Sequence, residues 1–339
     1  MYDICALGEV LIDAIASADT CIQITGNAGG APANVLTCGT RMGLKTAFLA
    51  KAGGDFIGNW LKGVLDEVGI DTAGMILDPS KNTTIAMVSL DEAGNRSFSF
   101  YRIGCADVSL TKEELRLDLI EQSRIFHFGS VSMTEEPARS ATLAAARYAR
   151  EKGLLVSYDP NLRRNLWCDE QTAAKYIKEG LTLCDVAKLS DEECRFLYGD
   201  QDIPSQGRQM LRDYPSLRLL FVTCGGAGSY VFCGDQMQYA PGYSVKVADT
   251  TGAGDTFMGA VLYQLLQHGG ADWSSAELQS LLRFGNAASA LSVQRFGAIP
   301  AIPGKADVEA FRNTPLPKAR ARRFIPRHKK KFDTEKGIK

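Results

Sequence analysis

The chain lacks several patterns that mark common classes of protein. Its 339 residues contain three histidines far apart and nine cysteines without a C-x-x-C pair, so the sequence offers no zinc-binding spacing. The phosphate loop G-x-x-x-x-G-K-[ST] is absent, and so is the dinucleotide fingerprint G-x-G-x-x-G after a strand. The hydrolase elbow G-x-S-x-G is absent as well. These absences argue against P-loop, Rossmann-type and serine hydrolase chemistry.

An excess of charge of either sign is also lacking. The chain has 38 basic and 39 acidic residues, so its net charge gives no attraction to nucleic acid or to a membrane. Residues 1–5 show neither a basic segment nor a long apolar run, and we expect no signal peptide or membrane span. The odd number of cysteines predicts reduced, mostly buried thiols and a cytoplasmic protein. With 45% hydrophobic residues, the composition is that of a globular, enzyme-sized chain.

The strongest chemical signal is the stretch DTTGAGD at residues 249–255, which precedes an apolar helical pattern. The start of a helix presents unpaired N–H groups and a partial positive charge, which suit an anion. Gly252 and Gly254 would let the backbone approach such a ligand closely. Asp255 is then either a helix N-cap or a general base beside an anion site, and the two glycines favour the base.

Apolar runs and amphipathic patterns alternate along the chain. Strands are predicted at residues 4–7, 46–51, 125–128, 154–158, 186–189, 219–223 and 230–232. Helices are predicted near 34–43, 53–68, 112–122, 136–152, 170–180, 190–198, 205–214, 255–267 and 276–293. The alternation predicts an α/β fold with a mostly parallel sheet, helices on both faces and ligands at the carboxyl ends of the strands. Residues 84–90 and 96–102 predict a β-hairpin outside that sheet, joined by a third strand from about 10–24.

Two motifs carry a resemblance to a known family. Residues 29–34 (GGAPAN) with Gly39 resemble the N-terminal signature of the ribokinase-like (PfkB) sugar kinases, and residues 249–255 resemble their C-terminal signature. The similarity spans about residues 2–313. It implies a ribokinase-like kinase domain over 1–313, with a small β-sheet lid from about 10–24 and 84–107, and a basic, flexible tail over 314–339. The segments 83–84, 100–102, 129–132, 159–163 and 166–167 are most like fructokinases.

The resemblance implies how the residues would work. Asp255 would take the proton from a primary hydroxyl of the sugar as that hydroxyl attacks the γ-phosphate of ATP. Backbone N–H groups of Gly252, Ala253 and Gly254 would stabilise the transferred phosphoryl group. The residues implied to bind the sugar are Asp13, Gly29, Gly30, Asn34, Phe100, Tyr101, Arg102, Asn161 and Arg163. A surface ion pair is the alternative for Arg163 and the expectation for Arg164.

The resemblance also implies ATP, Mg²⁺ and K⁺ as cofactors. The residues implied for the nucleotide are Lys188, Ser190, Glu193, Thr223, Gly225, Gly226, Gly228 and Asn286. Many family members carry an Asn-x-x-Glu element for Mg²⁺ and phosphate, whereas here Ser190 replaces the Asn and Glu193 would act indirectly. For K⁺, the carboxylate of Asp249 would be joined by backbone carbonyls of Thr251, Ser292, Arg295 and Gly297.

Several alternatives stay open at this stage. The predicted substrate is fructose, and the alternative is 2-keto-3-deoxygluconate or another sugar or nucleoside. A sugar-binding regulator without catalysis is the alternative of a different class, although an intact Asp255 argues against it. The lid predicts a homodimer, because such lids often pair between subunits in the family. The basic tail predicts a solvated segment, and contact with nucleic acid is the minority interpretation.

Overall fold

Strands that are buried on both faces form the centre of the fold. The computed structural model describes residues 1–18, 22–90, 96–268 and 272–314. The strands are β1 Tyr2–Leu7, β2 Leu11–Ala18, β3 Ile22–Gly29, β4 Thr46–Gly53, β5 Asp71–Asp78, β6 Ile85–Leu90, β7 Arg96–Tyr101, β8 Ser123–Gly129, β9 Leu155–Asp159, β10 Val186–Ser190, β11 Leu219–Thr223, β12 Gly228–Cys233 and β13 Gln236–Pro241.

Helices cover both faces of the main sheet. They are α1 Ala31–Arg41, α2 Phe56–Val68, α3 Leu117–Glu121, α4 Ala138–Glu151, α5 Glu170–Thr182, α6 Asp191–Tyr198, α7 Ile203–Asp213, α8 Ala253–Gln267, α9 Ser275–Ser292 and α10 Lys305–Phe311. Successive residues of β1 show the two-sided burial, since Ile4 packs in one core and Cys5 in the other. Helices α1, α2, α8 and α9 lie on the first side, and α3 to α7 lie on the second.

The main sheet has nine strands in the order β13-β12-β11-β10-β9-β8-β1-β4-β5. Seven neighbouring strands of this sheet pair in parallel, namely β11, β10, β9, β8, β1, β4 and β5. Strands β12 and β13 join antiparallel at one edge. Because parallel strands share one direction, the loops after β1, β8, β9, β10 and β11 all emerge at the same side of the sheet. The predicted α/β fold class is confirmed.

A second sheet of four strands, in the order β3-β2-β6-β7, stands apart from the first and is called the lid sheet below. The predicted hairpin of residues 84–90 and 96–102 is confirmed as β6 and β7. The prediction of a single third strand over 10–24 is wrong, because the chain forms two antiparallel strands there, β2 and β3. Strand β3 continues to Gly29 and delivers the chain directly to the start of α1.

The remaining differences concern short elements. The helix predicted over 112–122 is a single 3₁₀ turn followed by the short α3, since Arg116 takes a non-helical conformation between them. Strands β5 and β13 were not predicted. Within the described ranges, no helix is both long and apolar enough to span a bilayer. Cys21 and the predicted tail beyond Thr314 lie outside the described residues.

Candidate active site

The start of α8 is made by the glycine-rich motif. Gly252 is the N-cap residue with φ 73°, a left-handed conformation that favours glycine, and it makes no side-chain cap. Asp255 lies in the first turn, so the N-cap alternative for its side chain is wrong. The N–H of Ala253 donates to the carbonyl of Thr250 at 3.3 Å, and the loop therefore already engages one of the three predicted amide donors.

Asp255 is held by a residue from the opposite end of the chain. The amide Nδ2 of Asn34, in the first turn of α1, donates to Asp255 Oδ2 at 2.8 Å. Burial raises the pKa of Asp255 to about 6, and the nearby carboxylate of Asp159 adds to that rise. Lys188, the Asn34 hydrogen bond and Arg163 act in the opposite direction. A carboxylate with this pKa is largely ionised at neutral pH and still basic enough to accept a proton.

A cavity of about 430 Å³ opens at Asp255 and gathers most of the predicted sugar and phosphoryl residues. Its lining includes Asp13, Gly30, Asn34, Phe100, Asn161, Arg163, Lys188, Thr251, Gly252, Ala253, Gly254 and Asp255. Asp13 reaches it from β2 and Phe100 from β7, so the lid sheet forms one wall. Gly29 packs against Asp13, since a Cβ at Gly29 would lie 2.3 Å from Asp13 Oδ2. These contacts bring together residues that are more than 240 positions apart in the sequence.

Three predicted sugar ligands are absent from the lining of this cavity, namely Gly29, which packs against Asp13, and two residues that lie elsewhere, Tyr101 and Arg102. Arg102 is 4% exposed, and its guanidinium donates to Asp107 Oδ2 at 2.6 Å, to Thr134 Oγ1 at 2.6 Å and to the Val131 carbonyl at 2.9 Å. This arginine therefore ties the lid to the main domain and is absent from the lining of the cavity. Tyr101 is also outside that lining, and its side chain is 64% exposed.

A buried ion pair lies beside the start of α8. Lys188 Nζ donates to Asp159 Oδ2 at 2.7 Å, and both side chains are buried. Burial lowers the pKa of Lys188, but the carboxylates of Asp159, Glu193 and Asp255 outweigh burial and raise that pKa overall. A Cβ at Gly254 would lie 2.9 Å from Lys188 Nζ. The ammonium group is therefore close to the backbone that would receive the transferred phosphoryl group.

Sequence reasoning missed two acidic residues near this site. Asp159 ends β9 and begins the fructokinase-like segment 159–163, of which only Asn161 and Arg163 were predicted as ligands. Glu9 follows β1 and lines the cavity. Both are almost fully buried. For each of them, the available signal in the sequence was an acidic residue at or near the end of an apolar strand.

A second cavity of about 540 Å³ adjoins the first and shares Asn161, Arg163 and Lys188 with it. Its further lining includes Arg164, Ser190, Glu193 and Arg195, and the excess of basic groups suits an anion. Ser190 caps α6, because its hydroxyl accepts from the N–H of Glu193 at 3.1 Å. Glu193 returns a bond by accepting from the N–H of Ser190 at 2.7 Å, and its other oxygen accepts from the N–H of Leu162 at 2.6 Å.

Three positions around this second cavity clarify earlier alternatives. Both oxygens of Glu193 are engaged by backbone N–H groups, so its influence on a bound metal would be indirect. Arg164 forms an exposed ion pair with Glu170 at 3.1 Å, as expected. Arg163 is half-buried and lines both cavities, which favours the ligand interpretation over a surface ion pair.

The predicted adenosine loop lies at the carboxyl end of β11, outside the linings of both cavities. Gly225 and Gly228 have φ of 53° and 120°. Thr223 donates to the Leu189 carbonyl at 3.4 Å, and Gly226 approaches Gly242 closely. Asn286 joins β12, β13 and α9, since it accepts from Ser229 Oγ and donates to the carbonyls of Ala240 and Pro241. Its amide is therefore occupied within the protein.

The predicted cation residues meet at the C-terminal end of α9. Asp249 Oδ1 accepts from the N–H and the hydroxyl of Thr251, and Oδ2 accepts from the N–H of Gly297 at 3.0 Å. The N–H of Arg295 donates to the carbonyl of Ser292 at 3.4 Å. Among the described residues, no cluster of three His, Cys, Asp or Glu side chains could hold a metal. Any cation here would therefore rely on Asp249 together with neutral oxygens.

Comparisons with known proteins identify the family of the chain. Residues 1–305 match the pfkB family carbohydrate kinases. Fructokinase-2 of Solanum lycopersicum is 41% identical over 88% of this chain and 93% of its own length. Probable fructokinase-5 of Arabidopsis thaliana is 39% identical over 90% of this chain and 96% of its own length.

Solved structures give the same result. Fructokinase from Xylella fastidiosa with bound ATP superposes with a TM-score of 0.84 at 33% identity, covering 91% of this chain and 97% of that one. A double mutant of Vibrio cholerae O395 fructokinase, with fructose, ADP and potassium ion bound, gives 0.83 at 32% identity, covering 92% and 98%. The match over residues 1–305 and the level of identity to these relatives show that the chain belongs to the pfkB family of carbohydrate kinases.

Proposed function

We propose that this protein transfers the γ-phosphoryl group of ATP to a primary hydroxyl of D-fructose and forms fructose 6-phosphate. The observation that carries the proposal is the buried carboxylate of Asp255, which lines a cavity at the start of α8 together with other polar side chains. The kinase class follows from the family. The choice of fructose rests on the relatives, which are named fructokinases, and on the V. cholerae structure that holds fructose.

The first chemical step is removal of a proton from the sugar. Asp255 accepts the proton of the primary hydroxyl, and the oxygen that is released attacks the γ-phosphorus as the bond to ADP breaks. The partial positive charge at the start of α8 stabilises the charge on the migrating phosphoryl group. Lys188, which forms an ion pair with Asp159, lies at the boundary of the two cavities and can donate to a phosphoryl oxygen there. Phosphoryl transfer requires mainly positioning and charge neutralisation, which this arrangement supplies.

The sugar occupies the cavity between the lid sheet and the main sheet. Asp13 accepts hydrogen bonds from hydroxyl groups, and Asn34 and Gly30 complete the polar wall at the start of α1. Phe100 covers the sugar from the lid, and Asn161 with Arg163 closes the side next to the second cavity. A polyol suits this lining because its hydroxyls both donate and accept hydrogen bonds.

The second cavity receives the phosphates of ATP. Its arginines and Lys188 supply the charge, and the loop after β11 holds the adenosine. Bound Mg²⁺ would neutralise the phosphates, held by them and by water, because Glu193 is engaged with backbone N–H groups. The carboxylate of Asp249 and the backbone oxygens near Gly297 fit K⁺, a cation that prefers hard oxygen ligands, and K⁺ would brace the loop before α8.

Assembly and location follow as further proposals. The lid sheet ends in two edge strands, β3 and β7, that carry exposed apolar side chains such as Ile24 and Tyr101. Pairing of two lids would cover these edges and form a homodimer. Sedimentation of the wild type and of Ile24→Lys tests this, and a monomeric wild type refutes it. Eight described cysteines are free thiols, which suits the cytoplasm, and cell fractionation tests that location.

A panel of acceptors tests the proposed substrate. ATP consumption is measured with fructose, 2-keto-3-deoxygluconate, ribose and nucleosides under one set of conditions. We expect the highest kcat/KM with fructose and, for Asp255→Asn, a kcat about 10²–10⁴-fold lower than that of the wild type. A higher kcat/KM for another member of the panel would replace fructose. Sugar binding without sugar-stimulated ATP turnover would instead indicate a regulator.

A further inference from the structure

Glu9 is a buried acidic residue that the proposed reaction does not use. It lies in the loop between β1 and β2, and its side chain is 3% exposed. Its Oε1 accepts from the N–H of Ala31, the first residue of α1, at 2.8 Å. Its Oε2 is shielded from solvent and has no hydrogen-bond partner among the residues that the structure describes. A buried carboxyl oxygen without a partner is costly, so its presence calls for an explanation.

The protein groups around Glu9 do not satisfy this oxygen. Arg102 is close enough to lower the pKa of Glu9, but its guanidinium already donates to Asp107, Thr134 and Val131. Burial nevertheless raises the pKa of Glu9 to about 7. The carboxyl group therefore sits between its neutral and its ionised form, and in both forms Oε2 requires a polar partner.

The position of Glu9 identifies where that partner comes from. Glu9 lines the same cavity as Asp255 and Asp13. Its carboxyl group lies at Ala31, whereas Asn34, three residues later on α1, holds Asp255. The first turn of α1 therefore links the two carboxyl groups, and both residues border the cavity that the sugar would occupy.

The backbone holds this loop firmly against α1. Gly30 has φ 115°, and a Cβ there would lie 2.3 Å from the carbonyl oxygen of Glu9. The N-cap of α1 makes no side-chain bond of its own, and Glu9 supplies the acceptor for the first N–H of the helix. One oxygen of Glu9 thus has a structural partner and fixes the direction of the other.

We propose that Glu9 is a further sugar-binding residue, whose Oε2 is uncovered by a small movement of its neighbours when the sugar enters and then forms a hydrogen bond with a hydroxyl other than the one that is phosphorylated. This inference rests on the proposed sugar kinase function. A hydroxyl donates to the carboxylate or accepts from the protonated acid, so either form of Glu9 binds it. A site built to bond a hydroxyl discriminates strongly against an analogue that lacks it.

The test combines substitutions at Glu9 with deoxy sugars. The kcat/KM is measured for fructose and for derivatives that lack one hydroxyl each, with the wild type, Glu9→Gln and Glu9→Ala. With the wild type, we expect the kcat/KM of one derivative to be about tenfold or more below that of fructose. With Glu9→Ala, the kcat/KM of the same derivative should be less than about threefold below that of fructose, because the partner of the missing hydroxyl is already gone. Glu9→Gln keeps an acceptor for Ala31 and places an amide donor where the protonated acid has its own, so it should lose less of this discrimination than Glu9→Ala.

Asp55→Asn is the matched control. Asp55 is another carboxylate at a helix start, where it accepts from the N–H of Gly58, but it does not line the cavity. Its substitution should leave the wild-type pattern across the deoxy sugars. A wild-type pattern in Glu9→Ala, or the same altered pattern in Asp55→Asn, overturns the proposal and leaves Glu9 as an anchor of α1. If Glu9→Ala does not fold, the comparison is made with Glu9→Met, which keeps most of the side-chain volume and cannot form the hydrogen bond.

The outcome is separable from that of the proposed function. A wild type that does not phosphorylate fructose refutes the proposed substrate without any variant. The same comparison is then made with the deoxy derivatives of whichever sugar the wild type accepts. Glu9 is supported only if its substitution removes the selectivity for one hydroxyl of that sugar.

Discussion

Removal of the Asn34 amide should move the acid limb of the pH profile of kcat/KM to higher pH. Asn34 donates to Asp255 Oδ2 at 2.8 Å, a hydrogen bond that favours the ionised form of that carboxylate. The base must be ionised to act, so kcat/KM of the wild type should rise with pH through about 6, the pKa to which Asp255 is raised. Asn34→Ala removes a partner of the charged form, and the limb should therefore move to higher pH.

The size of the shift follows from the strength of the bond. A hydrogen bond to a charged group contributes about 1.5–3 kcal/mol, and one pKa unit corresponds to about 1.36 kcal/mol. The acid limb of Asn34→Ala should therefore lie about 1–2 units above that of the wild type. Any water that enters the space left by the amide reduces the shift, because it solvates the carboxylate. At pH 6 the loss of kcat/KM should be larger than at pH 9.

The assay is coupled ADP release at limiting sugar between pH 5 and pH 9. Asn34 is also a predicted sugar ligand, and loss of that role lowers kcat/KM by the same factor at every pH. Only its bond to Asp255 moves the limb. Asn286→Ala removes another buried amide that bonds elsewhere, and it should leave the limb in place. A limb within about 0.3 units of the wild type in Asn34→Ala would refute the reasoning.

Three further predictions concern the same site. Asp255→Asn should lower kcat by about 10²–10⁴-fold. Its unfolding midpoint in urea at neutral pH should be unchanged or higher, because burial penalises the ionised carboxylate; near-normal turnover would remove Asp255 from the role of base. Asp159→Asn leaves Lys188 buried without its main partner and should reduce the free energy of unfolding by roughly 3 kcal/mol. The double variant Asp159→Asn/Lys188→Met should recover part of that loss, and additive losses in urea titrations would contradict a coupled pair. The wild type should be more active in K⁺ than in tetramethylammonium, and Asp249→Asn should abolish the difference; equal rates in the two salts would count against a K⁺ site.

Some of the fold and of the candidate site follows from local sequence alone. The motif at 249–255 predicts a helix start with an acidic residue, and the structure has α8 beginning at Ala253 with Asp255 in its first turn. Buried parallel strands are continuous apolar runs, so those at 125–128 and 219–223 were recognised directly. Helices such as α4 and α9 have a strong apolar period and agree with the prediction within two residues. These features depend on residues close together in the chain.

Other elements were decided by packing that local sequence does not encode. Strand β5 forms the edge of the sheet next to β4, although its sequence shows no clear alternation of apolar and polar residues. The hairpin of β2 and β3 forms because β2 also pairs with β6, some 70 residues later. Arg102 was predicted to bind the sugar, but the tertiary fold places Asp107 and Thr134 around its guanidinium.

The same division holds for the chemistry. The sequence by itself determined the reactive motif and the α/β class, because glycine turns, acidic residues and apolar periods act over short distances. The type of acceptor was indicated by the resemblance to the sugar kinases. Only the tertiary structure decided that Asn34 holds Asp255, that Asp159 balances Lys188 and that Glu9 lines the same cavity as Asp255, with one buried oxygen that has no partner among the described residues. Each of these contacts joins separate strands or helices, and a pKa or a hydrogen bond depends on the neighbours that folding brings within a few ångströms.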